Sequence, residues 1–222
     1  MRLLLINPNS SVHITERLAA SARSALLSGD VLTAVTANDG PRVVRDAEGL
    51  RQAEASALAL AEAHAADHDA IVLGISLDGA AVTLRERWPA LPVIGMTEAA
   101  LLTAALRAER LGLLTLGASL LPLYRQRIAQ VGLASRVVAC EAPEVAAAFE
   151  PGAALVAAAV LDPLARACER LRDAGAQSVV LAGAVLCGYA GALQACCGLP
   201  VFDGVACAVG QARLQLALRH GA

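Results

Sequence analysis

Three short stretches place polar or nucleophilic side chains where an aliphatic run ends: INPNSS (6–11), GISLDG (74–79) and LAGAVLCGYAG (181–191). In the first, Asn7, Asn9 and Ser10 can present two amides and a hydroxyl beside the unpaired N–H groups of a helix start, a setting that suits a carboxylate or ureido oxygen. The same residue types also form turns and caps for purely local reasons. Ser76 and Asp78 follow the second run directly, and Asp78 fits a cleft-facing role and a helix N-cap equally well. Cys187, in the third stretch, reads as the opening residue of a helix after a strand exit. Backbone amides there lower a thiol pKa, and a thiolate can remove or return a proton at a carbon next to a carbonyl. The expected catalytic residue in these stretches is therefore Cys187. Thr115, Ser119 and Tyr124 in TLGASLLPLYRQR (115–127) and Asp203 in FDG (202–204) join Asn7, Asn9, Ser10 and Asp78 as expected substrate-binding groups. Glu98, in the first turn of a helix, is explained by the helix dipole as well as by a role as base.

Several chemistries lack their residues. No Gly-x-Gly-x-x-Gly or Walker-type spacing is present, so no nucleotide cofactor is expected. The six cysteines contain no Cys-x-x-Cys pair and sit among aliphatic residues, which argues against a disulfide framework and a thiolate metal site. His64 and His68 lie in a surface-like run, and all four histidines fall within or at the ends of helices, away from the strand exits; a Ser-His-Asp triad is not expected. With 18 basic and 20 acidic residues and no basic run, the chain lacks the concentrated positive surface that nucleic acid requires. No apolar block is long enough for a membrane span, so a cytoplasmic protein is expected. The apolar, Ala-rich helices allow a homo-oligomer.

The elements that must position these residues alternate: β-rich runs at 3–6, 31–35, 70–74, 92–95, 111–116, 136–140, 178–182 and 200–203, with helices expected over 12–27, 49–67, 97–107, 119–131, 154–174 and 205–219. Such alternation signals βαβ units on parallel sheets, which bind ligands at the carboxyl ends of their strands. Residues 38–49 and 141–153 read as longer connections bordering a cleft. A shift of 108 residues lays AIVLGISLDGAAVTLRERWPALPVIGM (70–96) on SVVLAGAVLCGYAGALQACCGLPVFDG (178–204) without a gap. Each copy is a strand, a Gly/Ala-rich turn, a short helix, then Leu-Pro-Val and a second strand. The repeat implies an α/β fold of two similar lobes about a pseudo-twofold axis, with the turn at 74–79 facing the turn at 182–187. The lobes are expected to comprise 1–97 plus 206–222, and 98–205.

INPNSS, the ANDGP turn (37–41), PVIGMTEAA (92–100) and PVFDGVACAV (200–209) together resemble the aspartate/glutamate/hydantoin racemase superfamily, nearest its hydantoin and allantoin racemase branch, from Asn7 to about Arg213. The resemblance implies two Rossmann-like lobes enclosing a small carboxylate, hydantoin or ureide. It also implies cofactor-independent chemistry in which two cysteines, one per lobe, act as opposed acid and base at a carbon α to a carbonyl. By the family's pattern those cysteines fall on Ile75 and Gly183, so the usual thiol pair is absent. Three activities then follow: an isomerase with rearranged chemistry through Cys187 or Ser76, a non-catalytic protein that binds a small carboxylate or ureide, or a decarboxylase resembling the arylmalonate decarboxylases, which share Gly74 and Ser76 after the strand.

Overall fold

The computed structural model describes residues 1–145 and 156–219. Eight strands form, each where an aliphatic run was read: β1 (Arg2–Asn7), β2 (Val31–Thr36), β3 (Ala70–Leu73), β4 (Val93–Gly95), β5 (Leu111–Leu114), β6 (Val137–Glu141), β7 (Ser178–Leu181) and β8 (Val201–Asp203). They build two four-stranded parallel sheets, ordered β2-β1-β3-β4 and β6-β5-β7-β8. The helices are α1 (Val12–Ala25), α2 (Ala47–His64), α3 (Ala81–Arg87), α4 (Met96–Arg107), α5 (Leu121–Gln130), α6 (Ala158–Asp173), α7 (Ala190–Cys197) and α8 (Gly204–Arg219). The expected start of α6 at 154, most of the 141–153 connection and His220 lie outside the described residues.

The 108-residue repeat is visible in the strand register. Leu3 pairs with Ala70 as Leu111 pairs with Ser178, and Ile71 pairs with Val93 as Val179 pairs with Val201. The correspondence stops at the outer strand: Leu3 pairs with Leu32, whereas Leu111 pairs with Val137 and the register then slips at Gly112. The duplicated unit is thus the three strands that carry the strand-end turns.

Both faces of each sheet are covered, which is why the strands read as unbroken aliphatic runs rather than alternating ones. On the first sheet Leu3 and Leu5 pack with Leu18 of α1 and Val205 and Val209 of α8, while Leu4 and Ile6 pack with Ala53, Ala57 and Ala61 of α2 and Leu84 of α3. On the second, Leu113 and Val180 meet Leu101 and Ala104 of α4 and Ile128 of α5; Leu114 and Val179 meet Leu164 and Leu171 of α6 and Leu193 of α7. Full burial of each such side chain contributes about 1.5–3 kcal/mol. α4 leaves the first sheet and packs on the second, and α8 returns from the second to the first, so each lobe is closed by a helix that follows the other's last strand. We propose lobe boundaries at 97/98 and 205/206 on this exchange.

Asp30 fastens the returning helix. Its carboxylate accepts hydrogen bonds from Arg213 of α8 and from the Leu27 amide, both at 2.8 Å. These donors, Arg213 foremost, hold its carboxyl well below the usual value of 3.8. A depressed folded-state pKa gives stabilisation that is complete above the unfolded value and lost as pH falls through the folded one. Asp30→Asn is therefore expected to lower the urea midpoint at about pH 7, with the gap to wild type narrowing toward about pH 3; equilibrium unfolding at both values checks it.

Candidate active site

The four strand-end turns meet between the lobes. At the end of β1 the Asn7 amide is turned inward: its Nδ2 donates to Asn9 Oδ1 (3.0 Å), to the Ser11 carbonyl (3.2 Å) and to Thr15 Oγ1 (2.8 Å), and its Oδ1 accepts from the Asn9 amide (3.2 Å). Asn7 thus shapes the turn, and it is Pro8 and Asn9 that reach the cavity. Ser10 does not line the cavity; its backbone amide donates to the Pro41 carbonyl. Ser11 holds the N-cap position of α1, yet its hydroxyl makes no cap bond and donates instead to the Arg42 carbonyl at 2.8 Å. These two bonds, with Ser119 Oγ donating to the Arg45 carbonyl at 3.1 Å, tie the 41–45 segment across the mouth.

The turn after β3 is strained. Leu77, Asp78 and Ala80 all take positive φ, of 67°, 56° and 68°, a conformation that costs a non-glycine residue about 1–3 kcal/mol. It is held by the buried Asp78 carboxylate, which accepts from the Thr97 amide (2.7 Å), the Glu98 amide (2.8 Å) and Arg127 Nε (3.0 Å). Gly95 is what lets the carboxylate in, because a Cβ there would sit 2.4 Å from Asp78. Burial pushes the Asp78 carboxyl up, against the pull of Arg127 and the two amides. Asp78 therefore neither lines the cavity nor caps the helix that follows it, whose N-cap position is Ala80; it anchors the start of α4 instead. Glu98 is also engaged, bound by Arg127 (2.7 Å) and Arg85 (3.0 Å), which leaves it no part in the cavity.

The second lobe performs the same task from the opposite strand end. Asp203 accepts from Ser21 Oγ (2.6 Å), the Gly188 amide (2.7 Å) and the amides of Val205 (3.0 Å) and Ala206 (3.2 Å), capping α8 while holding the turn after β7. Asp203 is therefore a structural anchor, and its expected contact with substrate is corrected on that ground. Cys187 is corrected likewise. α7 begins at Ala190, so Cys187 lies in the preceding turn without a helix terminus to stabilise its thiolate. Its side chain is 1% exposed and packs with Leu18, Val205 and Val209; burial first, then the neighbouring Asp203, pushes its thiol well up. It does not line the cavity.

What does line the cavity is a set of hydroxyls. In a space of about 400 Å³, Ser76, Thr115 and Tyr124 come together beside Ile75 and Gly183. Tyr124 Oη donates to the Ala182 carbonyl at 3.1 Å and has the Ser76 and Thr115 hydroxyls against it. Burial raises its pKa, so the phenol stays protonated. An idealised Cβ on Gly183 would lie 3.8 Å from Thr115 Oγ1 and 3.9 Å from both Ser76 Oγ and Tyr124 Oη. Groups from both lobes thus surround the place a side chain at 183 would occupy. Gly183 itself has φ 137°, a backbone region that L side chains rarely adopt. Ile75 closes the other side, packed with Leu73, Ala81 and Leu84. Ser119 lies nearer the mouth with the exposed Arg42 and Arg45.

His13, which the sequence reading set aside as a helical residue, also lines the cavity. The overlooked signal was its place in the first turn of the helix that follows a strand-end turn, where side chains still point toward the strand ends. A wider depression of about 820 Å³ lies at the amino ends of the first sheet, near Met1, Trp88 and Arg213. Of the charged groups around it, Asp30 is engaged with Arg213, Asp69 with Arg2 and Arg87 with Glu62. Among the described residues there is no group of three or more His, Cys, Asp or Glu placed to hold a metal, and no helix long and apolar enough to cross a membrane.

Two facing parallel α/β lobes with a cavity at their strand ends define a two-lobed, racemase-type α/β protein. The profile of the Asp/Glu/Hydantoin racemase family matches residues 3–212, and the chain belongs to that family. It is 29% identical to the hydantoin racemase of Paenarthrobacter aurescens over 228 residues, covering 97% of this chain and 92% of that protein. The allantoin racemase from Klebsiella pneumoniae superposes with a TM-score of 0.89 at 26% identity, over 99% of this chain and 89% of that one. Arylmalonate decarboxylase shares the fold, with a TM-score of 0.60 at 17% identity over 98% and 92% of the two chains.

Gly183 supports a direct check. Gly183→Ala, at φ 137°, is expected to lower stability by about 1–3 kcal/mol through backbone strain, although the added methyl meets no close neighbour. Denaturant unfolding would reveal this, and an unchanged midpoint would mean that the turn relaxes freely.

Proposed function

We propose that the cavity takes a small carboxylate, hydantoin or ureide and that the protein acts on it at a carbon α to a carbonyl, without cofactor and without a two-thiol relay. The observation that carries this reading is the convergence of the Ser76, Thr115 and Tyr124 hydroxyls on the vacant Cβ position of Gly183. Removing a proton from such a carbon moves negative charge onto the carbonyl oxygen, and fixed donors aimed at that oxygen lower the barrier; one such donor is worth about 10²–10³ in rate in acyl-transfer enzymes. The Ser76 and Thr115 hydroxyls lie against Tyr124, with Thr115 also donating to the Leu116 carbonyl at 3.4 Å, and a ligand oxygen would draw their donors away from these neighbours. Ser76 serves here as a hydrogen-bond donor. The exposed Arg42 and Arg45 at the mouth favour entry of an anion. Family membership and the hydantoin and allantoin racemases it resembles support the substrate class.

A second reading, a binding protein without turnover, is favoured by one observation: among the described residues lining the cavity there is no thiol and no carboxylate. Decarboxylation has the shared fold and the resemblance at Gly74 and Ser76 behind it, and no observation of the cavity favours it. Calorimetry separates binding from its absence. Hydantoin, allantoin and malonate are the probes, and at least one is expected to bind. Ser76→Ala is expected to weaken that binding about tenfold, the loss typical of one hydrogen bond to a charged or polarised oxygen. Equal affinity in wild type and variant would remove the hydroxyl cluster from the account.

A further inference from the structure

We propose that His13 is the acid–base residue of this cavity. The inference rests on the reading of the cavity as a site for a carbonyl-bearing carbon acid. It adds the group which that reading lacks.

At the two positions where the family's pattern has cysteines stand Ile75, which has no ionisable atom, and Gly183, which has no side chain. Ser76 and Thr115 are alcohols, far too weakly acidic to serve as bases near neutrality. Tyr124 is kept protonated by burial and spends its proton on the Ala182 carbonyl. Arg42 and Arg45 carry guanidinium groups, which have no acceptor to take a proton. His13 is then the one described side chain lining the cavity of a type that commonly serves as a general base.

Its setting fits the task. His13 stands in the first turn of α1, beside the Asn7–Asn9 turn that lies on the cavity's first-lobe side, and its ring is half-buried. Among the described residues no hydrogen bond or ion pair engages that ring, so its nitrogens are available to a ligand. The Asn7 knot, with Nδ2 donating to the Ser11 carbonyl and to Thr15, fixes the residues on either side of it.

The step balances without a co-reactant. The neutral imidazole takes the proton from the carbon α to the carbonyl, and the electron pair of the broken C–H bond forms the enolate. Its oxygen accepts hydrogen bonds from the Ser76 and Thr115 hydroxyls. The imidazolium exchanges its proton with water and returns one to the carbon, restoring both substrate and protein. With one base on one side, a proton comes back mainly to the face it left. Exchange of the substrate hydrogen with solvent should therefore run ahead of inversion, unlike a relay with an acid on the opposite face.

The test uses the full chain with enantiopure 5-methylhydantoin in deuterated buffer, following deuterium at the ring carbon by NMR and inversion by polarimetry, both against buffer alone. Calorimetry on the same probe reports binding. Wild type is expected to incorporate deuterium faster than it inverts the probe. His13→Ala should lose at least about 100-fold of that exchange, the lower end of what a general base contributes. It should also keep affinity within about threefold and regain part of the exchange when imidazole is added to the buffer. Undiminished exchange in His13→Ala, or a loss that imidazole does not restore, overturns the assignment. Binding without any exchange in wild type also overturns it and leaves the binding-protein reading standing. If the probe does not bind at all, the reading of the cavity falls, and this inference with it.

Discussion

Each lobe sends an arginine from the helix after its first strand into the turn after the other lobe's third strand. Arg17 of α1 donates to the Cys187 carbonyl at 3.1 Å and lies 5.4 Å over the Tyr189 ring, while Arg127 of α5 binds Asp78 and Glu98. In both turns a buried carboxylate, Asp203 or Asp78, takes up the amides of the turn or of the following helix. The cavity depends on these crossed anchors. The strained positive-φ residues at 77, 78 and 80 persist because the Asp78 carboxylate, fully desolvated, has three charge-assisted donors and cannot leave them without stranding a charge. Ser76 is then delivered to the cavity by a turn whose shape is fixed from behind.

Between the anchored turns stand Ile75 and Gly183. Ile75 belongs to the core, with Leu73, Ala81 and Leu84 as neighbours. At Gly183 the backbone takes a conformation that L side chains rarely adopt, and hydroxyls from both lobes stand 3.8–3.9 Å from the place a Cβ would take. Under the proposed function these hydroxyls are the place for negative charge that carbon-acid chemistry needs as much as a base.

The fold was largely legible in the chain because both faces of each sheet are buried, which leaves eight aliphatic runs with turn residues between them. The 108-residue repeat then related β3 and β4 to β7 and β8, and the strand register extends the correspondence to β1 and β5. The site was legible only in part. Asn9, Ser76, Thr115, Ser119 and Tyr124 line the cavity as the strand-exit rule suggests, whereas Asn7, Ser10, Asp78 and Asp203 come from the same exits and do not. Which way a strand-exit residue points is set by turn dihedrals such as those of Leu77 and Asp78, and a positive φ at leucine leaves no mark in composition. Cys187 was misread for a related reason. The helix start was placed at the first residue after the Gly/Ala-rich run, but the chain makes a short turn first and buries the thiol. His13 was passed over because a helical histidine carries no motif, and only packing brings the first turn of α1 to the opening between lobes.

The claim on which the account turns is that the hydroxyl cluster receives the carbonyl oxygen of a small ligand. A crystal structure of the protein soaked with hydantoin measures this directly. The account predicts the ligand between Ile75 and Gly183, with a carbonyl oxygen within about 3.2 Å of at least one of Ser76 Oγ and Thr115 Oγ1. A hydantoin seated in the depression near Trp88 and Arg213, or in the cavity with both carbonyls turned away from the hydroxyls, would contradict it.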